Sequence, residues 1–215
     1  MKRFFDIFRS AVLAGIAISL GGMVYLKTGS ELSGAIMFSF GLLTVVHYGM
    51  HLYTGKAGFF AGLFAPKTLF KSGNVDIKAT TSLADLLLPV LIGNAIGCLI
   101  CGMLCWQSAP DIVTNAQTLV GGRLNSGLLN NFLMAIPCGF IMTTAVTFGR
   151  DGKYLPLLFG VPLFIVCGFR HSIADAFYYS AASLWSYDLL WTWLVIVAGN
   201  FVGCNLYRVI APKIN

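Results

Sequence analysis

Hydrophobic residues run in six long blocks separated by short polar stretches, at roughly 10–26, 34–54 with a continuation to 70, 83–105, 127–148, 154–183 and 189–210. Crossing the ~30 Å hydrocarbon core of a bilayer takes about 20 residues of helix, so each block predicts a transmembrane span. Alternating ten-residue strands are absent, which argues against a β-barrel. Two blocks do not fit one straight helix. Residues 34–70 are too long for one span and too short for two with a turn, and His51-Leu52-Tyr53-Thr54-Gly55-Lys56 interrupts them. Residues 154–183 carry Arg170-His171-Ser172-Ile173-Ala174-Asp175 and break near Gly168. Each is predicted as a helix, an irregular loop and a half-helix. Irregular backbone at membrane depth is tolerated where it is buried in protein or lines a cavity, so both loops are expected on one central pathway.

The breaks belong to a repeat. Gly93-Asn94-Ala95-Ile96-Gly97-Cys98 in the third block recurs as Gly199-Asn200-Phe201-Val202-Gly203-Cys204 in the sixth. Glycines at i and i+4 let helix backbones approach closely. Each half holds three spans, an odd number, so the second half enters the membrane from the opposite side. The expectation is a single all-α transmembrane domain over 1–215. Its six helices form two inverted three-helix repeats, about 1–105 and about 125–215, with helices 2 and 5 broken. Interrupted helices at matching places of such a repeat mark a transport site near the bilayer midplane.

Composition agrees. The chain is 57% hydrophobic and 10% charged, with a mean hydropathy of +0.80, which excludes an ordinary soluble domain. Lys2, Arg3, Arg9, Lys56, Lys67, Lys71, Lys78, Arg150, Lys153, Arg208 and Lys213 fall on one side of the predicted topology, against Lys27 and Arg123 on the other. The positive-inside rule then puts both termini in the cytoplasm. The net charge of +6 is largely this topological signal and calls for no nucleic acid. The basic start and first apolar block resemble a signal peptide, but no small-residue cleavage site follows Leu26, and a retained span is expected. The six cysteines (Cys98, Cys101, Cys105, Cys138, Cys167, Cys204) lie inside predicted spans, so they read as packing residues rather than a disulfide framework or a thiolate metal site.

Gly49-Met50-His51-Leu52-Tyr53-Thr54-Gly55-Lys56 at the first break and Gly168-Phe169-Arg170-His171-Ser172-Ile173-Ala174-Asp175 at the second resemble the formate/nitrite transporter family. Its patterns there read Gly-x-Glu-Leu-Phe-Thr-Gly-Asn and Gly-Phe-Glu-His-Ser-Ile-Ala-Asn. The Gly-Asn-x-x-Gly motifs and an Asn in the fourth span, Asn131, match as well. The resemblance implies an aquaporin-like protomer, a homopentamer in the cytoplasmic (inner) membrane, and one pore per protomer for a small monovalent weak-acid anion. Formate is the first choice and nitrite the second, with hydrosulfide, acetate and lactate as alternatives. By position, Thr54 and His171 meet at the pore centre with Asn131 nearby. Leu42, Leu52, Tyr53 and Met134 form the cytoplasmic-side constriction, and Phe38 and Phe164 the periplasmic one. The family's two acidic residues are replaced here by His51 and Arg170, and two asparagines by Lys56 and Asp175, all four expected to tune the field. Asp175 is expected to pair with Arg170 or Lys56.

His171 at membrane depth is expected to give a hydrogen bond or proton to the passing anion, since an ionisable group there is costly unless it has a task. The plainer role is to satisfy loop carbonyls. Arg170 is expected to hold the loop by pairing. Thr54 alone reads as a hydroxyl bonded to its own backbone, and only the resemblance lifts it. His47 and His51, at i and i+4, share a helix face in this reading, so with His171 they suggest a membrane redox subunit. No carboxylate or thiolate completes such a set, and no metal or cofactor is expected. An aquaporin-type neutral-solute channel is a further rival, but two Asn-Pro-Ala loops are missing. Trp185, Tyr187, Trp191 and Trp193 read as an interfacial belt. No enzymatic chemistry is indicated.

Overall fold

The computed structural model describes residues 2–58 and 83–210, and among these residues all regular structure is helical. The helices are α1 (Lys2–Lys27), α2 (Leu32–His47), α3 (Tyr53–Ala57), α4 (Leu83–Ser108), α5 (Pro110–Asn125), α6 (Gly127–Arg150), α7 (Leu155–Val166), α8 (Ser172–Ala182) and α9 (Tyr187–Ile210). Stretches of α1, α4, α6 and α9 are long and apolar enough to cross a membrane, and α2 and α7 are shorter apolar helices. The continuation of the second block to residue 70, with Lys67, Lys71 and Lys78, lies outside the described residues, as does Lys213.

Both expected breaks are present. The chain leaves α2 at His47 and resumes as α3 at Tyr53; it leaves α7 at Val166 and resumes as α8 at Ser172. The first apolar block extends further than expected, to Lys2. One helix has no counterpart in the sequence reading. α5 has too little apolar character for a span, and buries only Ile112, Ala116 and Val120, one residue per turn. Proline in its first turn and Asp111 beside it favour the start of a helix. The carboxyl of Asp111 accepts a hydrogen bond from Lys27 at the end of α1, which holds it below the usual carboxylate range.

α1 packs along α4 and α2, and α6 packs along α9 and α7. Small residues make these approaches possible. A methyl group at Gly97 would overlap the carbonyl of Val12, and one at Gly203 the carbonyl of Ile136. A methyl at Gly93 would lie 2.7 Å from the Ala11 Cβ, and one at Gly199 2.7 Å from the Ala135 Cβ. In lipid, where apolar burial gives helices little reason to associate, such close backbone packing supplies the attraction. The two interrupted helices meet through α2 and α7, and α8 lies against α4 and α5. Large apolar side chains such as Ile36, Phe40, Leu104 and Phe159 point outward.

Candidate permeation site

Each break begins with the same turn. Gly49 has φ +63 and Gly168 φ +69, a left-handed conformation that glycine adopts without strain. Met50 N–H donates to the Val45 carbonyl and Gly49 N–H to that of Val46; Phe169 N–H donates to Phe164 and Gly168 N–H to Ile165. This is the Schellman stop, which satisfies carbonyls that the helix end leaves open.

An asparagine then brackets each loop. Asn94 Oδ1 accepts from Tyr53 N–H at 2.9 Å, while Asn94 Nδ2 donates to the carbonyls of Ala11 (2.7 Å) and His51 (2.9 Å). Asn200 repeats the arrangement, accepting from Ser172 N–H at 2.7 Å and donating to Ala135 and Arg170, both at 2.8 Å. The thiols cross between the halves: Cys98 donates to the Ile173 carbonyl and Cys204 to the Thr54 carbonyl. A buried peptide group without a partner costs about 1–3 kcal/mol, so these side chains make the unwound backbone tolerable.

Thr54 and His171 come together where the two loops face each other. Thr54 Oγ1 lies 3.1 Å from His171 Nε2, with both residues buried. The tautomer follows from the other ring nitrogen. His171 is the N-cap of α8, and its Nδ1 accepts from Ala174 N–H at 3.1 Å. A peptide N–H only donates, so in the neutral ring the proton sits on Nε2 and points to Thr54.

Apolar groups wall this pair. The Phe164 ring stacks on the imidazole with centroids 5.5 Å apart, and Phe38 meets Phe164 edge-on at 6.3 Å. Leu42 and Leu52 are buried. A cavity of about 330 Å³ opens beside Leu52 and is lined also by Val45, Gly55, Lys56, Val146 and Arg150. A smaller one of about 20 Å³ opens beside Phe164 and His171, lined by Arg123, Asp175, Tyr25 and Tyr178 among others.

The other expected site residues make the following contacts. Asn131 is fully buried: its Nδ2 donates to Arg123 and Gly127 carbonyls, and its Oδ1 accepts from Arg170 Nε at 2.9 Å. Its amide therefore ties α5 and α6 to the second loop. Arg170 also donates to the Gly168 carbonyl at 2.7 Å, and its backbone N–H to the Met134 carbonyl at 3.1 Å. Met134 lines neither of the two cavities. Tyr53 turns its hydroxyl toward the Val197 carbonyl in α9. Asp175 pairs with Arg123, Nε to Oδ1 at 2.9 Å, rather than with Arg170 or Lys56. Arg123 reaches it from α5, the helix that the hydropathy pattern did not reveal. The one sequence signal was its place, with Lys27, on the cation-poor side of the predicted topology.

His47 and His51 do not share a helix face, because α2 stops at His47. His47 Nδ1 sits 3.4 Å from the Tyr154 hydroxyl, and His51 Nδ1 3.1 Å from Ser10 Oγ. Among the described residues no three His, Cys, Asp or Glu side chains converge as a metal site. Trp185 and Trp191 are exposed, but Trp193 leaves the expected belt and donates from Nε1 to the Ser172 carbonyl at 2.8 Å.

Comparison with known proteins agrees with this architecture. Two solved structures share the fold: a pentameric formate channel with formate bound (TM-score 0.75, 21% identity, 97% of this chain and 96% of that one) and an FNT family ion channel (TM-score 0.77, 18% identity, 97% and 91%). The formate channel FocA of Haemophilus influenzae is 25% identical over 198 residues, 82% of this chain and 66% of that protein. FocA of Escherichia coli K12 is 26% identical over 192 residues, 79% and 64%. The chain thus spans just under two thirds of the length of these relatives. The model of the formate/nitrite transporter family matches residues 1–212, and the chain belongs to that family.

Proposed function

We propose that the chain forms a channel for a small monovalent weak-acid anion, formate first and nitrite second. The observation that carries this reading is the Thr54–His171 contact, held between two helix interruptions and walled by Phe164, with one cavity beside His171 and another beside Leu52 and Gly55. Curated relatives named as formate channels support the substrate class.

An anion in a dry apolar ring loses its hydration at a large cost, so a bare ion passes Leu42, Leu52, Phe38 and Phe164 slowly. His171 Nε2–H offers a hydrogen bond at the one polar point between those rings, and Thr54 relays it through its hydroxyl. His171 gives the hydrogen bond rather than the proton, because a neutral ring whose Nδ1 accepts from Ala174 N–H has no acidic proton to lose. A solvent proton taken up by the formate held at Nε2–H turns it into a neutral acid, for which the apolar ring is a small barrier. Lys56 and Arg150, both lining the larger cavity, concentrate anions at the cytoplasmic mouth. Neutral donors at the centre give weak binding, and hence exit.

The proposed frame is a single domain of six spans in two inverted repeats, about 1–105 and about 125–215. The matched turns at Gly49 and Gly168 and the matched brackets of Asn94 and Asn200 support it. Both termini face the cytoplasm on the charge bias of the loops, the membrane is the inner one, and the assembly is a homopentamer like the solved channel of the same fold. The test is uptake of formate, nitrite, hydrosulfide, acetate and lactate by reconstituted protein at two pH values. Formate and nitrite are expected to pass fastest, and more so at the lower pH. Water or glycerol flux without any of these solutes would overturn the reading.

A further inference from the structure

Resting on that reading, the small cavity beside Phe164 points to the chemical form of the solute that it holds. Two charged side chains line it with His171. Arg123 Nε donates to Asp175 Oδ1 at 2.9 Å, with side-chain exposures of 14% and 1%. The second carboxylate oxygen, Asp175 Oδ2, is buried and has no hydrogen-bond partner among the described residues. A buried carboxylate oxygen without a donor calls for an explanation, and a ligand is one.

A carboxylate only accepts hydrogen bonds and a guanidinium only donates. The cavity therefore presents an acceptor, Oδ2, next to a donor fork. The complement is a molecule with an O–H beside a C=O or N=O. Formic and nitrous acids in their protonated forms carry that pair. Their anions lack the O–H and bring a negative charge against a bare carboxylate oxygen. We infer that Arg123 and Asp175 form a subsite for the neutral, protonated weak acid, the O–H donating to Asp175 Oδ2 and the carbonyl or nitroso oxygen accepting from Arg123. At about 20 Å³ the cavity admits only a few atoms, since a single water needs roughly 10–15 Å³ on the same measure. The neutral acid leaves the charge balance of the ion pair unchanged. The other titratable groups around Asp175 are Tyr25 of α1, Cys138 of α6, and His171, Tyr178 and Tyr179 of its own segment; of the groups named, Arg123 alone carries a fixed charge.

The test uses the full chain in proteoliposomes with formate as the probe. Luminal acidification above the rate of protein-free vesicles reads entry of the acid, and a voltage-sensitive dye reads entry of the anion. The parent is expected to show saturable acidification. Formamide, which has an N–H donor beside its carbonyl, competes with it; methyl formate, which has no such donor, does not. In Asp175→Asn the amide carbonyl faces Arg123 and the amide nitrogen takes the place of Oδ2. The subsite then offers two donors, which suits the anion. Acidification is expected to fall by about tenfold or more, as for loss of a hydrogen bond to a charged group. Formamide competition is lost and electrogenic formate flux rises. The double variant R123Q/D175N removes both charges without leaving an unpaired guanidinium, and is likewise expected to lose formamide competition.

Acidification that survives with its formamide sensitivity in either variant overturns the inference. So does a parallel fall of acid and anion flux in both variants, since a merely structural pair would lower the two together. A parent that carries formate only as the anion overturns the inference alone. A parent that carries formate in neither form overturns the proposed function with it.

Discussion

Gly49 and Gly168 end their helices with the same two hydrogen bonds, and Asn94 and Asn200 hold the loops that follow with the same three. The side chains that the two loops present have little in common. Leu52 is the N-cap of α3 and makes no capping bond; His171, at the equivalent place, caps α8 through Nδ1. His51 corresponds to Arg170, Thr54 to Ile173 and Lys56 to Asp175. Backbone geometry is thus duplicated while chemistry is divided. One loop brings the hydroxyl and a lysine, the other the imidazole and a carboxylate. A duplicated frame brings the two loops face to face. The central contact forms because each loop contributes a different partner to it.

The largest effects should come from the shared part, and they should be equal. Asn94→Leu and Asn200→Leu each remove three buried hydrogen bonds and leave one peptide N–H and one loop carbonyl without a partner, while the helical carbonyls of Ala11 and Ala135 keep their ladder bonds. Each is expected to cost about 2–4 kcal/mol, summed from one to two kcal/mol per orphaned group. Thermal melting in detergent, followed by loss of the folded peak on gel filtration, measures this. A large drop for one variant and none for the other would break the correspondence between the halves.

The unshared part predicts the opposite, a change in transport confined to one loop. His171→Ala removes the Nε2–H donor, and flux is expected to lose its rise at acidic pH. At the pH of maximal flux the loss should be on the order of ten- to a hundredfold, the worth of one hydrogen bond to a charged group. Leu52→Ala, at the corresponding place, should widen the mouth and leave the shape of the pH profile alone. Flux measured against pH for both variants separates them. Identical curves for His171→Ala and the parent would remove the role of the Nε2–H donor.

What could be read from the sequence follows the same line. The breaks were legible because polar residues and glycines interrupt otherwise continuous apolar blocks, and the brackets were legible as a repeated Gly-Asn-x-x-Gly. Thr54 was legible only through its motif, since alone it reads as a hydroxyl bonded to its own backbone, whereas His171 also stood out as an ionisable group at membrane depth. α5 was not legible. Its buried positions, Ile112, Ala116 and Val120, are one per turn in a helix of low overall apolar character, too weak a pattern for a span and easily taken for a loop. Missing α5 concealed Arg123, and without Arg123 the nearest candidates for Asp175 were Arg170 and Lys56. The true pairing joins α5 to α8 across the fold, a distance that no local pattern encodes. The shared face of His47 and His51 failed for a different reason. A helical period was extended through Gly49, where the left-handed turn ends it.

The wall beside the imidazole offers a finer test of the comparison. Phe164 and Val45 accept the same Schellman hydrogen bond in their respective helices, so they occupy corresponding places, yet only Phe164 stacks on His171. Phe164→Val copies the first loop's residue into the second. It removes the ring that meets both Phe38 and the imidazole, and it opens the side of the small cavity. Passage of a larger acid such as lactate relative to formate is expected to rise on the order of tenfold, the discrimination that one or two methylenes of pocket size supply. A parallel truncation, Val45→Ala, enlarges the other cavity, which already holds about 330 Å³, and should leave that ratio unmoved. The ratio of lactate to formate uptake in vesicles reads both. If both variants shifted it equally, size selection would belong to the duplicated frame. If only Phe164→Val does, selection lies with the loop that also carries the histidine, beside a cavity of only about 20 Å³ where one missing ring matters most.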